Sequence, residues 1–305
     1  MTTQGKAYLY AISTVLLWST VATAFKISLR YMEPLQLLFY ANLTSVLFLF
    51  TVLLVRGQVG SLTRVGRKKL FHAAILGLLN PLLYYWVLFK AYDLLPAQEA
   101  QPLNYTWAIT LSILAIPLLK QKLRPIDLIA ILTSYFGILV IATHGDPLSL
   151  HFTNAAGVLL ALASTLIWAV YWIYNTRSTL EPVKGLFLNF LFALPFVGVL
   201  TWVTHGFVIN TSFGIAGALY VGLFEMGIAF VFWLNAMRLT KNTAEIANLI
   251  YFAPIISLFL IHFIVGEIIH WSSGVGLLLI ILGNLLQHFF KRSRRVAGPV
   301  QQTTD

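Results

Sequence analysis

The 305-residue chain contains no cysteine and has few charged residues. Without cysteine it has neither a disulfide framework nor thiol chemistry. Only 10% of its residues are charged, whereas 59% are apolar and the mean hydropathy is +0.83. This composition leaves too little polar surface for a soluble domain of this length. The sequence therefore predicts a polytopic integral membrane protein.

Two further absences narrow the class of function. The seven histidines stand singly and lack the spacing of metal ligands, so neither a metal site nor another cofactor is expected. The ten acidic residues are dispersed, and no acid, base and nucleophile gather at one membrane face, as an integral-membrane enzyme would require. We therefore expect a protein that is not an enzyme. The first apolar segment is too long and too interrupted by polar residues for a cleavable signal peptide.

Ten apolar stretches of membrane-spanning length follow one another along the chain. About 20 residues of helix cross a ~30 Å hydrocarbon core, so each stretch is long enough to span. The sequence thus predicts an all-α integral membrane protein with ten transmembrane helices. The stretches cover residues 7–26, 35–55, 70–92, 97–119, 126–143, 154–174, 184–204, 213–237, 243–264 and 271–290.

The basic residues are divided unequally between the two sides that these helices define. One side holds 17 of the 20 lysines and arginines, and the other holds Lys26, Arg30 and Lys90. By the positive-inside rule, both termini are predicted to be cytoplasmic, in the cell inner membrane. Short basic loops facing anionic lipids explain the net charge of +10, so no nucleic-acid partner is expected. The basic side holds Lys6; Arg56, Arg64, Arg67, Lys68 and Lys69; Lys120, Lys122 and Arg124; Arg177 and Lys184; Arg238 and Lys241; and Lys291, Arg292, Arg294 and Arg295.

The chain also repeats itself weakly, with an offset of about 146 residues. Each repeat holds five helices, and because five is odd, the second repeat enters the membrane upside down. We predict a first repeat at residues 1–143, an inverted second repeat at 154–290 and a basic, disordered cytoplasmic tail at 291–305. The superposed pairs are Glu99 with Glu245, Leu103 with Leu249, Tyr105 with Tyr251, Leu132 with Leu278, Gly137 with Gly283 and, at an offset of 150, Trp18 with Trp168.

Several motifs carry a resemblance to a known family. With the ten-helix pattern and the ninth segment reading Tyr251-Phe-Ala-Pro254 through Gly266-Glu267, the chain resembles the EamA family of the drug/metabolite transporter superfamily. The run from Pro96 to Trp107, which includes Asn104-Tyr105-Thr106-Trp107, is similar to the bacterial aromatic amino-acid exporters. Those exporters usually place proline after the tryptophan, where this chain has Ala108. The resemblance implies a transporter, and the inverted repeat favours one that works by alternating access.

Polar and aromatic residues at membrane depth indicate a cavity. Asn80-Pro81 breaks the third segment, and lipid cannot satisfy the backbone carbonyl that proline frees, so the break must face protein or water. Tyr84 shares a helical face with Asn80, and Trp107 shares one with Asn104. The resemblance implies a central cavity lined by aromatic residues of the third, fourth and sixth helices; a lipid-facing or interfacial position is the alternative for each ring. The predicted substrate-binding residues are Trp18, Asn80, Tyr84, Tyr85, Asn104, Tyr105, Trp107, Trp168 and Tyr251.

Glu225 is the leading candidate for mechanism. It falls near the middle of the eighth segment, with no basic residue within one helical turn. An ionised carboxylate there costs at least ~2.5 kcal/mol, so it must be protonated, paired or hydrated. We predict that it carries a coupling proton or neutralises a substrate ammonium. The alternative is a protonated carboxyl that hydrogen-bonds another helix for packing.

Glu99 and Glu245 are predicted to act as symmetry-related gates on opposite faces. Both lie in the first turn of a helix, where the helix dipole alone accommodates a carboxylate. Lys241 is the candidate partner of Glu245, and Lys90 is that of Glu99. Glu267, at a loop–helix junction, is expected to cap a helix or to be solvated.

Together these features predict an alternating-access transporter of small organic metabolites, most of all an exporter of aromatic or bulky neutral amino acids, with protons as the candidate coupling ion. A multidrug or cationic-compound efflux carrier is the alternative. A carrier of phosphorylated sugars or nucleotides would need intramembrane lysine or arginine, which the sequence does not place centrally. A channel fits broken helices in inverted halves less well than alternating access does.

Overall fold

A computed structural model describes residues 2–119, 125–148, 152–175, 178–209, 211–240, 246 and 249–292. The regular secondary structure of these residues is helical throughout. It includes two 3₁₀ turns, Val59–Ser61 between the second and third helices and Leu249–Tyr251 at the start of the tenth. The helices are α1 (Thr3–Ser28), α2 (Pro34–Val55), α3 (Arg67–Leu94), α4 (Ala97–Asn104), α5 (Trp107–Leu119), α6 (Pro125–Ala142), α7 (Ala155–Asn175), α8 (Pro182–Thr204), α9 (Ser212–Leu239), α10 (Leu249–Val265) and α11 (Trp271–Arg292).

Length and hydropathy make six of the described helices capable of crossing a membrane: α1, α2, α3, α7, α8 and α9. Shorter apolar stretches lie at Leu128–Ala142, Leu249–Val265 and Trp271–Leu286. Large apolar side chains such as Leu47 and Phe263 point outward, exposed by 60% and 78%. Such a surface suits lipid and not water. The prediction of an all-helical, multi-pass membrane protein is therefore confirmed.

The predicted fourth span, residues 97–119, is broken into two helices. The chain leaves α4 after Asn104, turns at Tyr105 and Thr106, and re-enters a helix as α5. The Leu103 carbonyl accepts the backbone N–H of Thr106 at 3.2 Å and the Thr106 hydroxyl at 2.7 Å. In a continuous helix that carbonyl would accept from Trp107, so the threonine side chain competes with the helix.

Both α3 and α9 are 28 residues long and contain a π-helical segment near the middle. In α3 the segment is Leu78–Leu83, where Asn80 has the extended angles φ −143° and ψ 114°. Pro81 explains this distortion, because it lacks an N–H and disfavours helical angles in the preceding residue. In α9 the segment is Val221–Ala229, and it carries Glu225.

Helices α6 and α11 pack in close antiparallel contact. Gly137 lies directly against the carbonyl of Gly276, and Gly283 lies against the carbonyl of Ala130. Between these two points the Ser134 hydroxyl faces the Ile280 carbonyl at 3.4 Å. A Cβ on either glycine would collide with the opposing backbone, so glycine permits this approach.

Some predictions concern residues at the margin of the described part. Helix α11 continues through Lys291 and Arg292, which the sequence assigned to the tail, and residues 293–305 lie outside the described residues. Glu245 and its candidate partner Lys241 also lie outside them, so that gate stays a prediction. The basic residues outside the described part of the chain are Lys120, Lys122, Arg124, Arg177, Arg294 and Arg295.

Candidate functional site

A cavity of about 160 Å³ lies inside the helix bundle, between helices α1, α3, α4, α5, α7, α9 and α10. Eleven of its eighteen described lining residues are aromatic. Among these lining residues Glu225 is the acid, and neither lysine nor arginine is present. The cavity thus combines aromatic walls with one carboxyl group.

Most of the predicted substrate-binding residues meet at this cavity, together with Glu225. Seven of the nine line it: Trp18, Tyr84, Asn104, Tyr105, Trp107, Trp168 and Tyr251. The other two, Asn80 and Tyr85, are fully buried and are not among the lining residues. Both come from α3, where the π segment changes which side chains face inward. Whether these residues bind a substrate stays a prediction.

Trp168 is the centre of the aromatic wall. Its ring lies 4.5 Å from that of Tyr84 and 5.9 Å from that of Trp172, measured between centroids. Trp18, another lining residue, lies 5.5 Å from Trp233. Such tilted and edge-on pairs stabilise each other and hold the rings in fixed positions. The packing of the rings on one another therefore fixes the shape of the wall.

A chain of hydrogen bonds fixes the polar residues of α3 and α4. The Tyr84 hydroxyl lies 3.4 Å from the side-chain oxygen of Asn104, whose amide nitrogen donates to the Ser164 hydroxyl at 3.0 Å. Asn104 is thus engaged on both sides and holds α3, α4 and α7 in register. Because both ends of its amide already have partners, Asn104 has less capacity to hydrogen-bond a solute than its position in the sequence suggested.

Glu225 is held by a residue one layer behind the cavity wall. The hydroxyl of the fully buried Tyr85 donates to one carboxyl oxygen, Oε1, at 2.9 Å. The other oxygen, Oε2, has no hydrogen-bond partner among the described residues. The indole N–H of Trp18 approaches the same carboxyl without reaching hydrogen-bond geometry. One oxygen therefore fixes the side chain, and the other is free to accept a hydrogen bond.

Two further lining residues have polar atoms without hydrogen-bond partners among the described residues. They are the side-chain oxygen of Gln101 on α4 and the indole nitrogen of Trp172 on α7. Buried polar atoms are satisfied by a partner in nearly all proteins, so each unsatisfied atom requires an explanation. A cavity that receives a polar solute or water provides one.

The sequence reasoning missed six polar or aromatic residues of the wall. Helical spacing was the available signal, because residues four or eight apart lie near one face. Tyr92 follows Tyr84 by eight positions, and Trp172 follows Trp168 by four. The six are Phe25, Tyr92, Gln101, Trp172, Phe230 and Trp233.

Glu99 is not part of the cavity wall. Its carboxyl is 1% exposed, accepts a hydrogen bond from Thr153 at 3.0 Å and lies 3.5 Å from His144. The prediction that Lys90 is the partner of Glu99 is wrong. Lys90 pairs instead with Asp93, at 2.6 Å, three residues away on its own helix. Lys90 is exposed and Glu99 is buried, so the histidine is the nearer ionisable group.

Beyond the Gln101 end of the cavity, the start of α4 is tied to the connection between α10 and α11. Both carboxylate oxygens of Glu267 accept backbone N–H groups there, from Ala97 at 2.8 Å and from Gln98 at 3.1 Å. The Gln98 side chain donates to the Ile268 carbonyl at 2.8 Å and accepts the backbone N–H of His270 at 2.9 Å. We call this set the Gln98–Glu267 clamp.

Two basic residues brace the same end of the bundle. Lys26 donates to the carbonyls of Tyr92 and Leu95 at 2.8 and 2.7 Å, at the C-terminal end of α3. Arg30 donates to the Val265 carbonyl at 3.0 Å, at the end of α10. Cations are favourable at helix C-termini, where carbonyl groups lack helical partners. These residues therefore cap helices and do not line the cavity.

Comparisons with known proteins place the chain in a family. The EamA-like transporter family matches residues 5–143 and 155–287. A protein of Archaeoglobus fulgidus called an uncharacterized transporter is 24% identical over 284 residues, covering 92% of this chain and 96% of that protein. Another uncharacterized transporter, from Clostridium kluyveri, is 23% identical over 296 residues, covering 93% of each chain.

A further relative is also named a transporter, and a solved structure shares the fold. The uncharacterized transporter YvbV of Bacillus subtilis is 22% identical over 288 residues, covering 93% of this chain and 92% of that protein. One crystal structure superposes with a TM-score of 0.64 at 22% identity, covering 96% of this chain and 99% of the other, a likeness of fold. The resemblance seen in the sequence is confirmed. The chain belongs to the EamA-like transporter family, within the drug/metabolite transporter superfamily, and is a multi-pass membrane transporter.

Proposed function

We propose that this protein is an inner-membrane carrier that exports small aromatic or bulky neutral amino acids by alternating access. Ten transmembrane segments form two inverted halves, at residues 1–143 and 154–290, with both termini in the cytoplasm. The solute occupies the aromatic cavity, where Glu225 neutralises its ammonium group or carries a coupling proton. The observation that carries the proposal is the cavity itself, with its fixed aromatic walls and its single described acid.

The contact between α6 and α11 supports the inverted arrangement. An offset of 146 residues exchanges Gly137 with Gly283, Ala130 with Gly276 and Ser134 with Ile280, so the contact maps onto itself. A two-fold axis between repeats produces such self-matching contacts. Because the two equivalent helices are antiparallel, that axis turns one repeat upside down relative to the other.

A second pair of contacts supports the same symmetry. Gly77 of α3 packs on the backbone of Asn189 in α8, and Gly222 of α9 packs on the backbone of Ala41 in α2. The third helix of each half thus crosses the second helix of the other half. The two π segments occupy corresponding places in these third helices. Paired, weakened helices around a central site are what rocking halves require.

The size and chemistry of the cavity support an amino-acid-sized solute. A volume of about 160 Å³ holds on the order of ten water molecules, or a solute of roughly a dozen non-hydrogen atoms. Aromatic faces bind flat apolar groups and attract cations by ~0.5 to 2 kcal/mol each. The carboxyl of Glu225 adds a charge at the position where an ammonium would sit.

In this arrangement, the Gln98–Glu267 clamp and the cap formed by Arg30 close the outer end of the cavity. They lie on the side where the sequence has few basic residues, which the positive-inside rule assigns to the exterior. They also join the two halves, since Arg30, Ala97 and Gln98 belong to the first and Glu267 to the second. Opening to the outside requires these bonds to break.

The test is uptake of labelled phenylalanine, threonine and a planar organic cation into liposomes containing the purified protein, with and without a pH gradient. We expect saturable amino-acid uptake that responds to the gradient and loses this response in Glu225→Gln. Glu181→Gln is the matched control, because Glu181 pairs with Arg238 at 3.0 Å away from the cavity. Uptake of none of the three solutes would contradict the proposal.

A second candidate is efflux of cationic compounds. It is favoured by the absence of lysine and arginine among the described lining residues, since a zwitterion would bring a carboxylate without a counter-charge into a largely apolar cavity. Transport of the planar cation alone in the same assay would establish this candidate over amino-acid export.

A further inference from the structure

We propose that the cavity recognises the N–H groups of a primary ammonium through two hydrogen-bond acceptors, Gln101 and Glu225. Aromatic primary amines are then bound, and permanently alkylated cations with the same ring and chain are rejected. The inference rests on the proposed function, because it assumes that this cavity holds the solute. It adds the chemical class that the cavity selects.

The first acceptor is the amide oxygen of Gln101. This residue lines the cavity and is only 3% exposed, yet its oxygen has no partner among the described residues. It lies on the short helix α4, whose first turn is fixed by Glu267. A buried amide oxygen without a partner is destabilising unless an occupant of the cavity supplies a donor.

The second acceptor is Oε2 of Glu225. Tyr85 occupies the other oxygen at 2.9 Å, so the carboxyl has a fixed orientation with one acceptor left over. A carboxylate is an acceptor-only group, and a primary ammonium is a donor-only group with three N–H bonds. The charge and the hydrogen-bonding capacity of the two groups are complementary.

The aromatic walls cannot make this distinction themselves. Ring faces attract a quaternary ammonium as well as a primary one, because the attraction depends on charge and not on N–H bonds. A quaternary ammonium would leave both acceptors buried and unpaired, and would displace any water that had satisfied them. Rejection therefore comes from the acceptors, and Gln101 is a specificity-determining residue.

The test compares phenethylamine with its N,N,N-trimethyl derivative by calorimetric titration of the purified protein. The two probes share the ring, the chain and the charge, and differ in N–H bonds and in three methyl groups. Leucine is close to glutamine in size, so the bulk of the methyl groups acts equally on the wild type and on Gln101→Leu, and a change in the affinity ratio reports the N–H bonds. We expect the primary amine to bind about 10- to 100-fold more tightly. Gln101→Leu should reduce this ratio about tenfold, whereas Gln101→Glu, which keeps an acceptor, should retain it.

Gln58→Leu is the matched control, since Gln58 also has an unpaired side-chain oxygen but lies outside the cavity. Gln101→Leu removes an unsatisfied polar group, so its melting temperature without solute should equal or exceed that of the wild type. Equal affinities of the wild type for both probes would overturn the inference and leave the proposed function standing. An unchanged ratio in Gln101→Leu would also overturn it. Binding of neither probe, and of no amino acid, would overturn both.

Discussion

Replacing Glu267 by glutamine should release the end of the cavity that we propose faces the outside. The carboxylate accepts two backbone N–H groups of α4, at 2.8 and 3.1 Å, and so ties α4 to the connection between α10 and α11. Glutamine retains one oxygen, and its NH₂ group would face an N–H donor. The substitution therefore removes one hydrogen bond, makes the other neutral and removes a negative charge from the N-terminus of α4.

The magnitude follows from the bonds lost. A hydrogen bond to a charged group contributes ~1.5 to 3 kcal/mol, and a charge at a helix N-terminus ~0.3 to 1 kcal/mol when exposed. Glu267 is partly exposed, so we take a net loss of about 2 kcal/mol near the low end of this range. Because about 1.4 kcal/mol corresponds to a tenfold change, the population open at this end should rise about 30-fold.

The absence of cysteine makes this measurable without background. A single cysteine in place of Leu88, a buried lining residue, would react with a membrane-impermeant maleimide only when the outer end opens. We expect the labelling rate in intact cells to rise about 30-fold in Glu267→Gln. Glu33→Gln is the control, because Glu33 is an exposed carboxylate at the N-cap of α2. An unchanged rate, or an equal rise in the control, would refute the reasoning.

Three further predictions concern packing and the cavity wall. Gly137→Leu forces α6 and α11 apart and should lower the unfolding free energy by about 1 to 3 kcal/mol in thermal denaturation, whereas Gly274→Leu, at an open position on α11, should leave it unchanged. Trp168→Ala removes the ring that packs 4.5 Å from its tyrosine neighbour and should raise the KM of uptake about tenfold; Trp202→Ala, 69% exposed, should not. Tyr85→Phe removes the donor that orients the cavity carboxyl and should weaken phenethylamine binding about tenfold in calorimetry, and unchanged affinity would show that the hydroxyl has no such role.

The membrane fold follows from features that are local in sequence. Apolar length and the scarcity of charge require helices in lipid, because every backbone polar group must be satisfied within the segment. The depth of Glu225 follows from its place in a long apolar segment. The identity of its hydrogen-bond partner does not follow from the sequence, because Tyr85 lies 140 positions away and meets Glu225 only when α3 packs against α9.

The choice between Tyr84 and Tyr85 shows a different limit. Both stand just after the π segment of α3, and adjacent helical residues point about 100° apart. Counting faces from Asn80 assumes an uninterrupted α-helix, and the π segment shifts that count. The sequence therefore predicts two aromatic residues near the cavity without distinguishing the wall from the layer behind it.

The Gln98–Glu267 clamp could not be predicted from the sequence either. The expectation that Glu267 caps a helix or is solvated is correct as to capping, but the helix it caps begins about 170 residues earlier. Gln98 gave no signal, since a glutamine in a first helical turn is ordinary. Hydrogen bonds between distant segments depend on tertiary packing, which local patterns do not encode.

The central claim is that the solute passes through the aromatic cavity. The most direct test is uptake of the transported solute into proteoliposomes by Leu88→Trp, which places an indole inside the cavity, beside Leu47→Trp on the lipid-facing surface, where Leu47 is 60% exposed. The account predicts that Leu88→Trp folds and loses uptake, while Leu47→Trp retains it. Full uptake by Leu88→Trp would contradict it, because the path would then lie elsewhere in the bundle.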